Sequence, residues 1–143
     1  MIDVNAKIME AMKAKNKVAS ETYKLLKAKI LEFKTAKNAK EYTEIEEINL
    51  IKKMISDRNN SAKIYLENNR EDLASEELKQ AEVLNALLPA LPTVKDIQAY
   101  LNAKHPLGIS KKDMGKVIKE TREALVGADG KEISTEVMKI VQD

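Results

Sequence analysis

TEIEEINLIKKMISDRNNSAKIYLENN, residues 43–69, decides the fold class. Its apolar residues Ile48, Ile51, Ile55, Ala62 and Tyr65 recur at steps of three, four and seven, with Arg58 as a polar interruption. That is the stripe of a helix face and not the alternation of a strand. Thr43 followed by Glu46 is a capping-box pattern that opens the helix. Asn68-Asn69 closes it, because Asn tolerates the left-handed conformation better than most residues.

Helical patterns continue on both sides. Upstream, the spacing predicts a first helix over about 3–15 with Val4, Ile8 and Met12 on one face. A second over about 17–37 carries Val18, Leu25 or Leu26, Ile30 and Phe33, and NAKEY at 38–42 is a loop. Downstream, a fourth over about 70–87 presents Leu73, Leu78, Ala81 and Leu84. Pro89 and Pro92 then stop it, since two prolines in four residues cannot continue a helix. Thr93 and Asp96 start a short fifth helix ending near Ala103, and HPLG at 105–108 is a loop. Ser110, three residues before Asp113, opens a sixth helix that GADG at 127–130 ends; Asp129 with Glu132 caps a seventh that runs to the C-terminus. The expected fold is all-α, with a four-helix N-terminal unit over residues 1–88 and a small three-helix unit over 93–143.

Composition agrees. Hydrophobic residues make up 43% of the 143 residues but aromatics only 3%, which suits helix-on-helix packing and starves a sheet. The absence of Cys removes disulfides and thiolate metal sites and fits a reducing cytosol. MIDVNAKIMEAMKAKN lacks the apolar run of a signal peptide, and no stretch nears the ~18 apolar residues of a membrane span. The expectation is a cytoplasmic protein with no membrane partner.

A net charge of +2 conceals an uneven distribution. Residues 1–40 hold ten Lys against Asp3, Glu10, Glu21 and Glu32, residues 41–92 hold six Lys or Arg against eleven acids, and residues 93–143 hold nine against eight. The simplest reading sets a Lys face of the first helices against a Glu face of the third and fourth, each attracting the other. The functional reading turns the basic end toward a polyanion such as RNA.

Catalytic patterns are missing. There is no Walker phosphate loop, no GxGxxG after a strand and no HExxH; Ser20, Ser56, Ser61, Ser75, Ser110 and Ser134 have no nearby base in sequence. His105, the one His, reads as a solvated loop side chain, so neither a metal nor a cofactor site is expected. The adjacent pairs Glu46-Glu47 and Glu76-Glu77 point in different directions on a helix and read as a solvated face.

Several stretches, taken in order, resemble one family. They are AMKAKNK at 11–17, TYKLLKAKI at 22–30, RNNSAKIY at 58–65, and Arg70, Asp72, Leu73, Ala74 and Glu77 in an Arg-x-Asp-Leu-Ala-x-x-Glu pattern. Leu88-Pro89, Asp113-Met114-Gly115-Lys116-Val117 and Ala128-Asp129-Gly130 complete the set. Together they resemble the GatB/YqeY domain family. Its members are small free-standing bacterial proteins and the C-terminal tail domain of the glutamine-dependent tRNA amidotransferase. Lys24 stands where many members have Arg, Leu87 where many have Tyr, and Val126-Gly127 where the family usually reads Gly then Lys or Arg.

In the amidotransferase the tail helps to hold the tRNA while ammonia release and acyl transfer occur elsewhere. The resemblance therefore implies a non-catalytic module that binds tRNA or assists such an enzyme. Its carbon–nitrogen ligase association is a family property that these residues cannot perform alone. The expected contacts are Lys111, Lys112, Gly115, Lys116 and Lys119 around the sixth helix, with Gly130 and Lys131 at the seventh. Lys and a helix N-terminus suit phosphate and confer no base specificity. Gly115, where Gly costs about 1 kcal/mol relative to Ala, has two readings. First, it lets the sixth helix pack tightly on the seventh; second, it admits another backbone or a nucleic acid. GADG is likewise a connecting turn first and an RNA contact second, and Arg70 with Asp72 a helix-start turn. The rival to tRNA binding is an adapter for a protein partner, which the scarcity of aromatics for base stacking favours. The oligomeric state is left open.

Overall fold

Side-chain oxygens on the chain's own caps set most of its helix starts. In the computed structural model, which describes residues 1–142, Asp3, Asn16, Thr43, Thr93 and Asp129 each accept a backbone N–H from the first turn that follows. The helices so opened are α1 (Val4–Lys13), α2 (Lys17–Thr35), α3 (Glu44–Glu67), α5 (Val94–Lys104) and α7 (Gly130–Lys139). At α5 the capping box is complete, with the Asp96 carboxylate returning to the Thr93 N–H at 2.8 Å. α4 (Glu71–Asn85) has no side-chain cap. Instead the Arg70 guanidinium grips the Asp72 carboxylate at 3.3 Å and, with the Leu73 N–H, holds it below the usual carboxylate range.

Ser110 does not open α6 (Met114–Ala124) as the sequence reading expects. Its hydroxyl donates to Asp113 at 2.9 Å, the chain first makes a 3₁₀ turn over Lys111–Asp113, and α6 follows. Local side-chain bonding of this kind competes with the helix for the first turn. α7 also stops short of the C-terminus. Ile109 donates to the Ile140 carbonyl at 3.0 Å and accepts from Gln142 N–H at 2.9 Å, which forms an isolated parallel bridge between Ile109 and Val141. Among the described residues the chain is otherwise helical and free of strands.

The chain divides into two compact units, Met1–Pro89 and Ala90–Asp143. The core of the first gathers Leu26, Ile51, Met54 and Leu84, with Ile2, Ile30, Ile55 and Leu87 packed around them. Two residues read into its stripes face solvent: Met12 and Leu78 are exposed, whereas Ala11, outside the predicted stripe, is buried and Ala81 and Leu84 are buried as read. Glu47 is a further correction. It lies 5% exposed, not on a solvated face, because its carboxylate accepts from the Ile2 N–H and the Tyr42 hydroxyl, both at 3.1 Å. Burial, and then this carboxylate, keep the Tyr42 phenol protonated far above its ordinary range.

The core of the second unit is Ile97, Leu101, Val117, Ile133 and Val137, closed by Ile109. Glu136 is almost buried there, held by Lys139 at 2.8 Å and the Gln98 amide at 2.7 Å. Gly108 sits at φ +83, where an added Cβ would stand 2.7 Å from the Ile140 carbonyl. The return of residues 140–142 against the HPLG loop therefore requires glycine at this point.

Candidate nucleic-acid interface

α6 is sharply two-sided. Met114, Val117, Ile118, Thr121 and Leu125 turn toward the core of the second unit. Opposite them, Lys112, Gly115, Lys116 and Lys119 follow at i, i+3, i+4 and i+7, which places them on one strip. All four are exposed, and Lys111 is exposed in the 3₁₀ turn beside Lys112.

Gly115 lies in the middle of that strip, and a Cβ added there would meet nothing within 4 Å. The tight-packing reading is thereby corrected: neither α7 nor any other part of the molecule needs the space. Its backbone is simply bare, ringed by lysines. Gly130 is also free of steric need, since its Cβ would find only the Arg122 Nη2 at an ordinary 3.8 Å.

That neighbour joins the two halves of the predicted site. Arg122 comes three residues after Lys119, is exposed, and carries the strip to the start of α7 where Gly130 and exposed Lys131 lie. Sequence reasoning passed over Arg122, although the i+3 step from Lys119 was legible. The Asp129 carboxylate accepts the Lys131 N–H at 2.7 Å and the Glu132 N–H at 3.2 Å, so the GADG turn caps α7 with its own acid. At Gly127 φ is +88, a conformation in which Lys or Arg would be strained. The cation that the family resemblance leads one to expect here is replaced by a glycine in a left-handed conformation.

Acids border the strip. Glu123 shares its outer edge, while Asp113 and Glu120 flank Lys116 on the other side. There a polar cavity of about 280 Å³ opens between His105, Ser110, Asp113, Lys116 and Glu120. His105 departs from the solvated side chain expected. Its Nε2 is shut from solvent without a hydrogen bond, 3.8 Å from Glu120 Oε2. Among the described residues no three His, Asp or Glu converge as metal ligands, and no helix is long and apolar enough to cross a membrane.

A model of the family described as Yqey-like protein matches residues 2–141. No curated protein matches the chain.

Proposed function

Because the chain belongs to the YqeY-like family, we propose that it is a non-catalytic helical module that binds tRNA through the strip on α6 and the start of α7. In this reading its two units are a four-helix and a three-helix domain, and its cellular place is beside a glutamine-dependent tRNA amidotransferase or a similar cytoplasmic enzyme. The observation that carries the proposal is Gly115. A glycine in an exposed helical turn lowers helix stability, and here no neighbour requires it. Open backbone between Lys112, Lys116 and Lys119 lets a phosphate approach closer than any side chain would permit. Arg122 adds a planar fork suited to phosphate, and Lys131 extends the charge. Such contacts position a backbone without reading bases.

The test is tRNA binding followed across salt. Neutralised phosphates release counterions, so the parent should lose affinity steeply between about 50 and 200 mM salt. Lys112→Glu, Lys116→Glu and Lys119→Glu together should abolish binding while helicity and melting stay near those of the parent. Binding equal to the parent's, or a parent with no salt-sensitive binding, overturns the proposal. The same preparation should release no ammonia from glutamine; turnover that one substitution removes would overturn its non-catalytic part. A protein adapter without RNA is the second reading, favoured by Asp113, Glu120 and Glu123 along the strip. It predicts no tRNA binding at any salt.

A further inference from the structure

The first unit has a basic surface of a different kind, and we propose that it docks an acidic amphipathic helix of a partner protein. A cavity of about 380 Å³ opens against α1, α2 and the segment around Tyr42, within the ~300–1,000 Å³ usual for binding pockets. Ile2, Val4, Ile30 and Leu31 give it apolar walls, and Lys27 and Lys34 stand at its rim. The apolar character continues outside. On α1, Met9 and Met12 follow the pocket residue Asn5 at i+4 and i+7, and they are 59% and 57% exposed. On α2, Leu31 is 61% exposed between its two lysines. Exposed methionines are adaptable and suit a surface that receives another helix.

The charge of this surface is unspent. The mutual attraction expected between the Lys face and the Glu face forms no ion pair among the described residues. Of the lysines in residues 1–40, Lys29 pairs with Glu32 on its own helix, and Lys34 lies 5.1 Å from the Tyr42 ring centroid. The two acids in the cavity do not compete for the rim. Asp3 caps α1 through the Ala6 N–H at 3.1 Å, and both Glu47 oxygens are taken by Ile2 and Tyr42. An apolar recess framed by ammonium groups that no carboxylate among the described residues pairs complements a helix with apolar anchors along one stripe and carboxylates on either side.

Two other occupants fit less well. Nucleic acid gains nothing from exposed Met and Leu, and Tyr42 is already engaged edge-on by Phe33 at 5.6 Å, so it offers no stacking platform. A bilayer presents a flat face, whereas this surface is recessed by a cavity of about 380 Å³.

The probe is a synthetic amphipathic helix of Leu and Glu, titrated into the full-length ¹⁵N-labelled protein. Controls are the same peptide with Leu→Ser and with Glu→Lys. Amide shifts should cluster at Ile2, Leu31 and Tyr42, and both control peptides should bind at least about tenfold more weakly. In the protein, Lys27→Glu with Lys34→Glu, or Leu31→Ser alone, should weaken the parent peptide to the same degree with little change in melting, since all three side chains are exposed. Equal binding of the Leu→Ser peptide overturns the proposal in favour of a simple polyanion site. Preferential engagement of the same amides by phosphatidylserine vesicles or by tRNA overturns it, as does concentration-dependent movement of these amides without peptide, which would mean a second copy of the chain. The α6 triple variant should bind the peptide like the parent, so this proposal and the tRNA reading can fail separately.

Discussion

Gly115→Ala should raise stability and lower function in one step. The added methyl group meets no atom within 4 Å, and the position lies in a regular helix, so the substitution introduces neither clash nor strain. Replacing Gly by Ala inside a helix gains about 0.5–1 kcal/mol, mainly by restricting the unfolded chain. Gly115 is the second residue of α6, where the helix is only beginning, so the lower figure applies. For a domain of this size about 0.5 kcal/mol raises the melting temperature by roughly 2–4 °C. The assay is a thermal melt followed by circular dichroism, paired with a tRNA titration at low salt. The melt should rise while tRNA affinity falls severalfold, because the methyl group stands where a phosphate would approach. A lower melting temperature refutes the open-backbone geometry. A higher one with unchanged affinity leaves the geometry intact and refutes its functional meaning.

Gly108→Ala should do the reverse, destabilising by about 1–3 kcal/mol, since it forces a Cβ to 2.7 Å from the Ile140 carbonyl at a left-handed φ; urea unfolding that leaves the midpoint unchanged would contradict this. Glu136 gives a pH signature: Lys139 first, and then Gln98, hold its carboxylate below the ordinary range. Its stabilisation is therefore full above the unfolded value of about 4.3 and disappears as pH falls through the lower folded value. Lys139→Ala should melt below the parent at neutral pH, with the difference closing in acid; a constant difference across that window would refute the assignment.

Helix identity was legible because local signals agreed. The Ile48–Ile51–Ile55 stripe, the Thr93–Asp96 box and the Asp129 cap each act within a turn of their own position, and each appears as read. What escaped reading depends on partners distant in sequence. Nothing local marks Glu47 as the acceptor for the Ile2 N–H, or Gly108 as the residue against which Ile140 returns. Lys15 adopts φ +56, though a lysine is no signal for the left-handed region. The candidate site divides in the same way. Its lysine strip followed from helical spacing, whereas the link through Arg122 to Gly130 needed the approach of α6 to α7, and the bareness of Gly115 could be learned only by finding no neighbour there.

The bridge between Ile109 and Val141 also bears on how the chain comes off the ribosome. The first unit has its core residues between Ile2 and Leu88, all of which emerge while the remainder is still being made. The second cannot satisfy the backbone of Ile109 until Ile140 and Gln142 have left the exit tunnel. Until then Ile97, Leu101 and Val117 lack Ile133 and Val137 to cover them. Synthesis thus presents a first unit with its core complete while the second is still unfinished, and the nascent chain is most open to chaperones between the emergence of Ile97 and that of Gln142.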